Sequence, residues 1–214
     1  MNALFHAAAG VALGGLALGD EATGSDLALC AVAGTSPDWD GALLVFGRKT
    51  YRQYHRTITH GFLGLALTAL AAGTFLSVFR GWDFGLAAVL WLTAAGGHTV
   101  SDLFNRSGVA LFAPFSEERM RFPAVTWASP SLTIGAVIVA IWVTVSPPSA
   151  RFVVTCGLVF YAVYLVRRVQ EPRLSDSMSQ WWFGKVCGFI RENDEKSESP
   201  VSVEYSGKAG ELNR

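Results

Sequence analysis

The chain has 214 residues, of which 51% are hydrophobic and 16% charged, where ordinary soluble domains carry about a quarter charged residues. Seventeen basic and seventeen acidic residues cancel, so no net charge points to nucleic acid or to another anionic partner. This composition excludes a disordered chain, a small disulfide scaffold and a typical soluble enzyme, and it favours a polytopic membrane protein. Asn2 to Gly19 is apolar and rich in Ala and Gly, and a short run, Leu27 to Ala33, follows the Asp20-Glu21 break. Neither matches a full span of about 20 residues, so the two predict a half-inserted helical hairpin. A signal peptide fits less well, because no Lys or Arg precedes Arg48. Four full spans follow: Ile58 to Phe79, Phe84 to Phe104, Val125 to Ser146 and Ala150 to Val166. The third has Pro130 near its start and ends at Pro147-Pro148, and the fourth ends at Arg167-Arg168.

The last 44 residues, 171–214, form a polar tail. Within it, 180–190 places Trp182, Val186 and Phe189 at helical spacing, which suits either the membrane interface or a short helix packed on the protein. Residues 191–214, rich in Glu, Ser and Lys, read as disordered, and the tail as a whole offers a place for a protein partner to dock. Cys30, Cys156 and Cys187 are far apart and form neither a disulfide framework nor a zinc ribbon. The expected fold is therefore all-α: a polytopic helical membrane protein of about four full spans, with an N-terminal short helical hairpin and a polar C-terminal tail. Three parts are expected: a membrane domain over 1–122, a further hairpin over 123–170 and the tail.

Charge sets the expected orientation. With alternating spans, one side receives Arg48, Lys49, Arg52, Arg56, Arg106, Arg119, Arg121, Arg167, Arg168 and Arg173, while the other receives only Arg80 and Arg151. The positive-inside rule places the basic side in the cytoplasm.

Ionisable residues inside apolar spans are costly and functional by default. His98 and Asp102, four apart, share one helix face near the cytoplasmic end of their span. Such a pair can share a metal, or form a hydrogen bond that closes a helix end; Asn105 continues the face. His55 and His60 bracket the start of the preceding span, so the hairpin returns His60, His98 and Asp102 to one membrane level. Asp38-x-Asp40, in a Pro-Asp and Asp-Gly turn, adds two hard oxygen ligands on the same side, or is a solvated turn. His6 joins the cluster if the N-terminus is cytoplasmic. The chain has no Gly-x-Ser-x-Gly, phosphate-binding Gly-Lys-Ser/Thr or His-Glu-x-x-His motif.

Read in order, His6, Pro37-Asp38-Trp39-Asp40, His55-Arg56-x-x-Thr59-His60 and His98-x-x-x-Asp102, followed by Ser107-Gly108-Val109 and Pro114, resemble the YdjM-like family of bacterial membrane-bound metal-dependent hydrolases. The resemblance covers residues 1–122. The chain departs from it at Gly41, Thr57 and Gly61, where members often carry His, Gly and Ser. A more distant likeness is to the zinc-dependent phospholipase C and single-strand nuclease group, which implies a phosphoester or phospholipid substrate.

These resemblances imply a membrane-bound metal-dependent hydrolase of the bacterial inner membrane, acting at its cytoplasmic face on a phosphoester or lipid-linked substrate. One or two divalent ions, zinc first among them, would be held by His6, Asp38, His60, His98 and Asp102. The metal would acidify a bound water. Asp40 or His55 would take a proton or complete the ligand set, and Arg56 would bind phosphate or serve as one more cytoplasmic charge. Two rival classes stay open here. One is a non-catalytic scaffold whose His and Asp residues form a structural network. The other is a haem-binding redox carrier, which needs paired histidines but none of the carboxylates.

Overall fold

The computed structural model describes residues 2–125 and 129–170; the segments 180–190 and 191–214 and Cys187 lie outside the described residues. Among the described residues the chain forms seven α-helices: α1 (Ala3–Leu18), α2 (Gly24–Thr35), α3 (Arg48–Tyr54), α4 (Phe62–Arg80), α5 (Phe84–Asp102), α6 (Pro130–Val145) and α7 (Ala150–Gln170). A 3-10 segment, Ser36–Phe46, links α2 to α3, and a shorter one, Ile58–His60, precedes α4. Only two isolated β-bridges, Asn105–Val125 and Val109–Met120, occur among the described residues. The protein is an all-α polytopic membrane protein.

Helix boundaries follow local chemistry. Asn2 caps α1 by accepting from the Phe5 backbone N–H at 2.8 Å, and its side-chain amide donates to Thr133 Oγ1 of α6. Thr23 and Asp26 form a reciprocal capping box at the start of α2. Asp83 caps α5 through the Leu86 N–H, just after Gly81 closes α4 in the left-handed conformation at φ 68°. Pro130 occupies the first turn of α6, where its missing N–H leaves no gap in the helix.

Residues 1–170 form one compact unit. Helix α1 lies at its centre and packs on α2, α5, α6 and α7, while α4 pairs with α5 and α6 with α7. Three apolar clusters fill the interior: Leu65, Leu90 and Trp91 with Cys30 between α2, α4 and α5; Ala12, Leu27, Val143 and Val154 around α1; and Phe5 with Val125, Leu132 and Leu165. The outer faces are apolar as well, with Phe75, Val78, Phe79, Ile138, Phe152 and Phe160 more than half exposed. Large apolar residues all round a helix are what lipid, not water, stabilises.

Four helical stretches among the described residues are long and apolar enough to cross a membrane: Ala3–Glu21, Phe62–Arg80, Phe84–Asp102 and Pro147–Arg168. The number of full spans is the expected one, but its members differ. The N-terminal segment reaches 19 residues because a 3-10 turn over Gly19–Glu21 extends α1. Helix α6 has 16 residues, because the chain enters it only at Pro130, five residues later than the hydropathy suggests. It is about 24 Å long.

Candidate metal centre

The start of α1 and the ends of α2 and α5 meet because glycines let them. A Cβ on Gly34 would stand 2.4 Å from the His6 carbonyl oxygen, and one on Gly10 would stand 2.2 Å from that of Cys30. Only backbones without side chains can cross this closely. The crossing puts His6 against α5, with its ring stacked on that of His98 at 3.6 Å between centroids. It also places the Gly34 carbonyl where His98 Nδ1–H donates to it, at 2.7 Å.

The other histidines are oriented in the same manner. Ser101 Oγ donates to the His98 carbonyl at 2.8 Å, so it accepts from His6 Nδ1–H at 3.3 Å. Thr59 Oγ1 donates to Asp40 Oδ2 at 3.0 Å, so it accepts from His60 Nδ1–H, also at 3.0 Å. Each imidazole thus spends its proton on Nδ1. The three Nε2 atoms are buried and have no hydrogen-bond partner. An outer acceptor that fixes the tautomer and turns a bare Nε2 inward is the usual support of a metal-binding histidine.

The bare nitrogens face carboxylates. His60 Nε2 lies 3.5 Å from Asp38 Oδ1 and 3.9 Å from Asp102 Oδ2. His98 Nε2 lies 3.6 Å from Asp38 Oδ1 and 3.9 Å from Asp102 Oδ2. These are too long for hydrogen bonds. They fit donors that share one ion, since four bonds of about 2.0–2.1 Å arranged tetrahedrally separate donors by about 3.4 Å. One donor atom each from Asp38, His60, His98 and Asp102 lies within 4.8 Å of all the others. His98 and Asp102, one turn apart, are therefore not the hydrogen-bonded pair that closes a helix end. His6 stands beside this group, with Nε2 3.4 Å from the second oxygen of Asp102.

Asp40 and Arg56 form the wall. Asp40, buried, accepts from His55 Nδ1 at 2.9 Å, from the Arg56 backbone N–H at 3.2 Å and from Thr59. Arg56 has a positive φ of 61°, a conformation that a non-glycine residue holds only where its surroundings impose it. Here both of its backbone polar groups are taken, the carbonyl by the Ala110 N–H at 3.1 Å. Its guanidinium is buried, with Nε 2.9 Å from Asp102 Oδ2 and Nη1 donating to Ser107 Oγ at 2.7 Å. The side chain read from the sequence as a phosphate ligand or a surface charge is turned inward onto a carboxylate. Asn105, also buried, donates to Asp102 Oδ1 at 2.6 Å. A second set, Asp38, Asp40 and His55, also brings three donor atoms within 4.8 Å, although His55 and Asp40 already satisfy one another.

Burial disfavours the charged form of Asp40, but the hydrogen bonds from His55 and from the Arg56 backbone N–H outweigh it and hold the carboxyl below the usual carboxylate range. Burial also lowers His60 below the ordinary imidazole range, against the pull of Asp38, which favours the neutral form that ligates metals. Three carboxylates and one guanidinium leave a formal charge of −2 when the imidazoles are neutral, the charge that one divalent cation balances. Stacking of His6 on His98, and ring centroids only 5.0 Å apart for His60 and His98, leave no slot for a porphyrin between these rings.

The geometry thus gathers every residue picked out from the sequence: Asp38, His60, His98 and Asp102 in one group, His6 against Asp102, and Asp40, His55 and Arg56 around them. Sequence reasoning missed the acceptors that orient the rings. Ser101 and Thr59 had a signal, one in the turn after His98 and the other next to His60. The Gly34 carbonyl had none, since a backbone acceptor leaves no mark on residue type.

Comparison with known proteins places the chain. A family model described as YdjM inner membrane protein matches residues 1–174, and the chain belongs to that family. The match runs past the motif-bearing first 122 residues and through α6 and α7. A Bacillus subtilis (strain 168) protein described as "Uncharacterized protein YfhP" is 27% identical over 194 residues, covering 86% of this chain and 59% of its own length. The chain therefore spans about three fifths of that relative. No solved structure matches.

Proposed function

We propose that this YdjM-family protein is a metal-dependent hydrolase of phosphoesters, with its site at the cytoplasmic face of the inner membrane. The observation that carries the reading is the pair of buried imidazole nitrogens, His60 Nε2 and His98 Nε2, that lack hydrogen-bond partners and converge with Asp38 and Asp102. A purely structural polar network would have paired these atoms, because a buried unpaired polar group costs about 1–3 kcal/mol. Two nitrogen and two carboxylate donors suit zinc, and His6, beside Asp102, would be available to hold a second ion. The basic residues at this end of the bundle support the cytoplasmic orientation.

When bound, a divalent cation would acidify water and offset the charge that develops on a phosphoryl oxygen. The chain's own groups do the rest. Asp40 holds His55 through Nδ1, leaving the other ring nitrogen to exchange a proton with water or with the departing alcohol. Arg56 positions Asp102, holding one carboxylate oxygen in place and reducing the repulsion among three acids. Water forms the new P–O bond, the ester P–O bond breaks, and the alcohol leaves with a proton.

The test is elemental mass spectrometry of the detergent-purified chain beside a His98→Ala/Asp102→Ala variant, with hydrolysis of p-nitrophenyl phosphate and bis(p-nitrophenyl) phosphate measured on both. Circular dichroism and gel filtration establish that the variant is folded. One or two divalent ions per chain and release of p-nitrophenol, both lost in the folded variant, are expected. A wild type that takes up no ion from zinc or manganese solutions overturns the reading.

A further inference from the structure

The site is closed on most sides. The side chains of His6, His60, His98 and Asp102 are fully covered, and those of Asp40 and Arg56 are 2% and 5% exposed. Only Asp38, at 27%, and His55, at 23%, reach the surface. The opening therefore lies along the 3-10 segment Ser36–Phe46 and the turn that follows α3.

That segment is built the wrong way round for water. It buries Ser36, Pro37 and Asp40 and exposes Trp39 by 55%, Leu44 by 52%, Val45 by 85% and Phe46 by 75%. Within it, the Trp39 ring meets that of Trp91 edge-on at 6.0 Å. Trp91 precedes His98 by seven residues on α5, about 10 Å further into the span. Trp39, next to Asp38, is thus set against a residue well inside the span, while Lys49, exposed, lies on α3 just after the segment. The opening at Asp38 and His55 is thus carried on a segment with exposed apolar side chains, and an exposed cation follows it in sequence. An amphiphile with acyl chains and an anionic head matches both kinds of group.

We propose that the site takes its substrate sideways from the bilayer, as an anionic phospholipid. Its head-group phosphate reaches Asp38 and His55, with Lys49 beside it, and its acyl chains lie along Trp39 and Leu44–Phe46. The inference rests on the metal-dependent phosphoesterase reading, because a cation must offset the charge of Asp38 before a phosphate can approach.

The test uses the full chain, zinc-loaded and held in amphipol, titrated calorimetrically with dihexanoyl phosphatidic acid, glycerol 3-phosphate and dihexanoyl phosphatidylcholine. Metal content is measured on the same samples. Phosphatidic acid is expected to bind at least tenfold more tightly than either of the others. The variant Leu44→Ser/Phe46→Ser, changed only at exposed positions, is expected to abolish that preference while keeping its metal and its affinity for glycerol 3-phosphate. Equal affinity for phosphatidic acid and glycerol 3-phosphate would mean a water-soluble phosphoester, and equal affinity for phosphatidylcholine would mean no head-group selection; either overturns the proposal. A partner protein covering the Leu44–Phe46 ridge predicts no lipid preference and overturns it in the same way. If metal is present in these cases, the hydrolase reading survives; a chain with neither metal nor lipid preference loses both.

Discussion

At the end of the bundle away from the histidines, the chain reverses through three short links, Gly19–Thr23, Gly81–Asp83 and Ser146–Ser149, each closed by its own residues. Thr23 with Asp26, Asp83 with the Leu86 N–H, and Ser149 with Ser146 do that work over four residues or fewer. At the histidine end the connections are long, over 36–61 and 103–125, and they are tied to one another instead. Arg56 joins the first to Ser107 and Ala110 of the second, and Arg119 donates to the His55 carbonyl at 3.0 Å. One end is held mainly by local capping, with one long-range bond from Arg151 to the Leu18 carbonyl; the other is held by polar contacts between distant segments, several made by groups that surround the bare imidazoles. The histidine end gathers carboxylates around bare imidazole nitrogens, an arrangement that could hold the divalent cation proposed above.

The largest effect should come from removing that charge or its ligands. His60→Ala is expected to abolish metal binding and to lower hydrolysis by about a hundredfold or more, the scale on which removing even outer supports of a metal ligand is felt. Chelation should lower the unfolding midpoint of the wild type but not of the variant, because an ion that binds only the folded state stabilises it; scanning calorimetry with and without chelator reads both. Next comes Gly34→Ala. The added methyl would stand 2.4 Å from the His6 carbonyl oxygen, so the helices must separate, at about 1–3 kcal/mol. His98 would lose its acceptor as the Gly34 carbonyl moves, and metal affinity should fall with stability.

Thr59→Val keeps the shape and removes the hydroxyl that orients His60 and touches Asp40. Metal affinity is expected to fall by about 10- to 100-fold with little change in helicity, and Thr59→Ser should restore it; competition with a fluorescent zinc chelator measures both. The smallest effect belongs to the other end. Thr23→Ala removes half of the capping box and should cost about 1 kcal/mol, leaving metal content unchanged. If Thr23→Ala altered metal content as strongly as Thr59→Val, the distinction between the two ends would fail.

At the capped end hydropathy marked α4, α5 and α7, and Pro147-Pro148 marked the end of α6, but the span over Ala3–Glu21 and the start of α6 at Pro130 were not read from it. His98 and Asp102 were legible because helical spacing alone puts them on one face. Bringing His6 to Asp102 required the glycine crossing of α1 and α2, whose consequence for geometry is not visible in residue type. Arg56 illustrates the limit. A basic residue beside a membrane span looks like a surface charge, and only the positive φ and the loop carrying Ser107 turn it onto Asp102. The departure at Gly41 is structurally mild, since a Cβ there meets nothing within 4 Å.

Helix α6, at 16 residues, stands beside α7, at 21. A hydrocarbon layer of about 30 Å is thicker than the about 24 Å that α6 can cover, and a short helix cannot tilt its way out of that mismatch. A layer that thins to meet α6 does so at a fraction of a kcal/mol per ångström. Bilayers built from short acyl chains are therefore expected to suit the protein better than bilayers built from long ones.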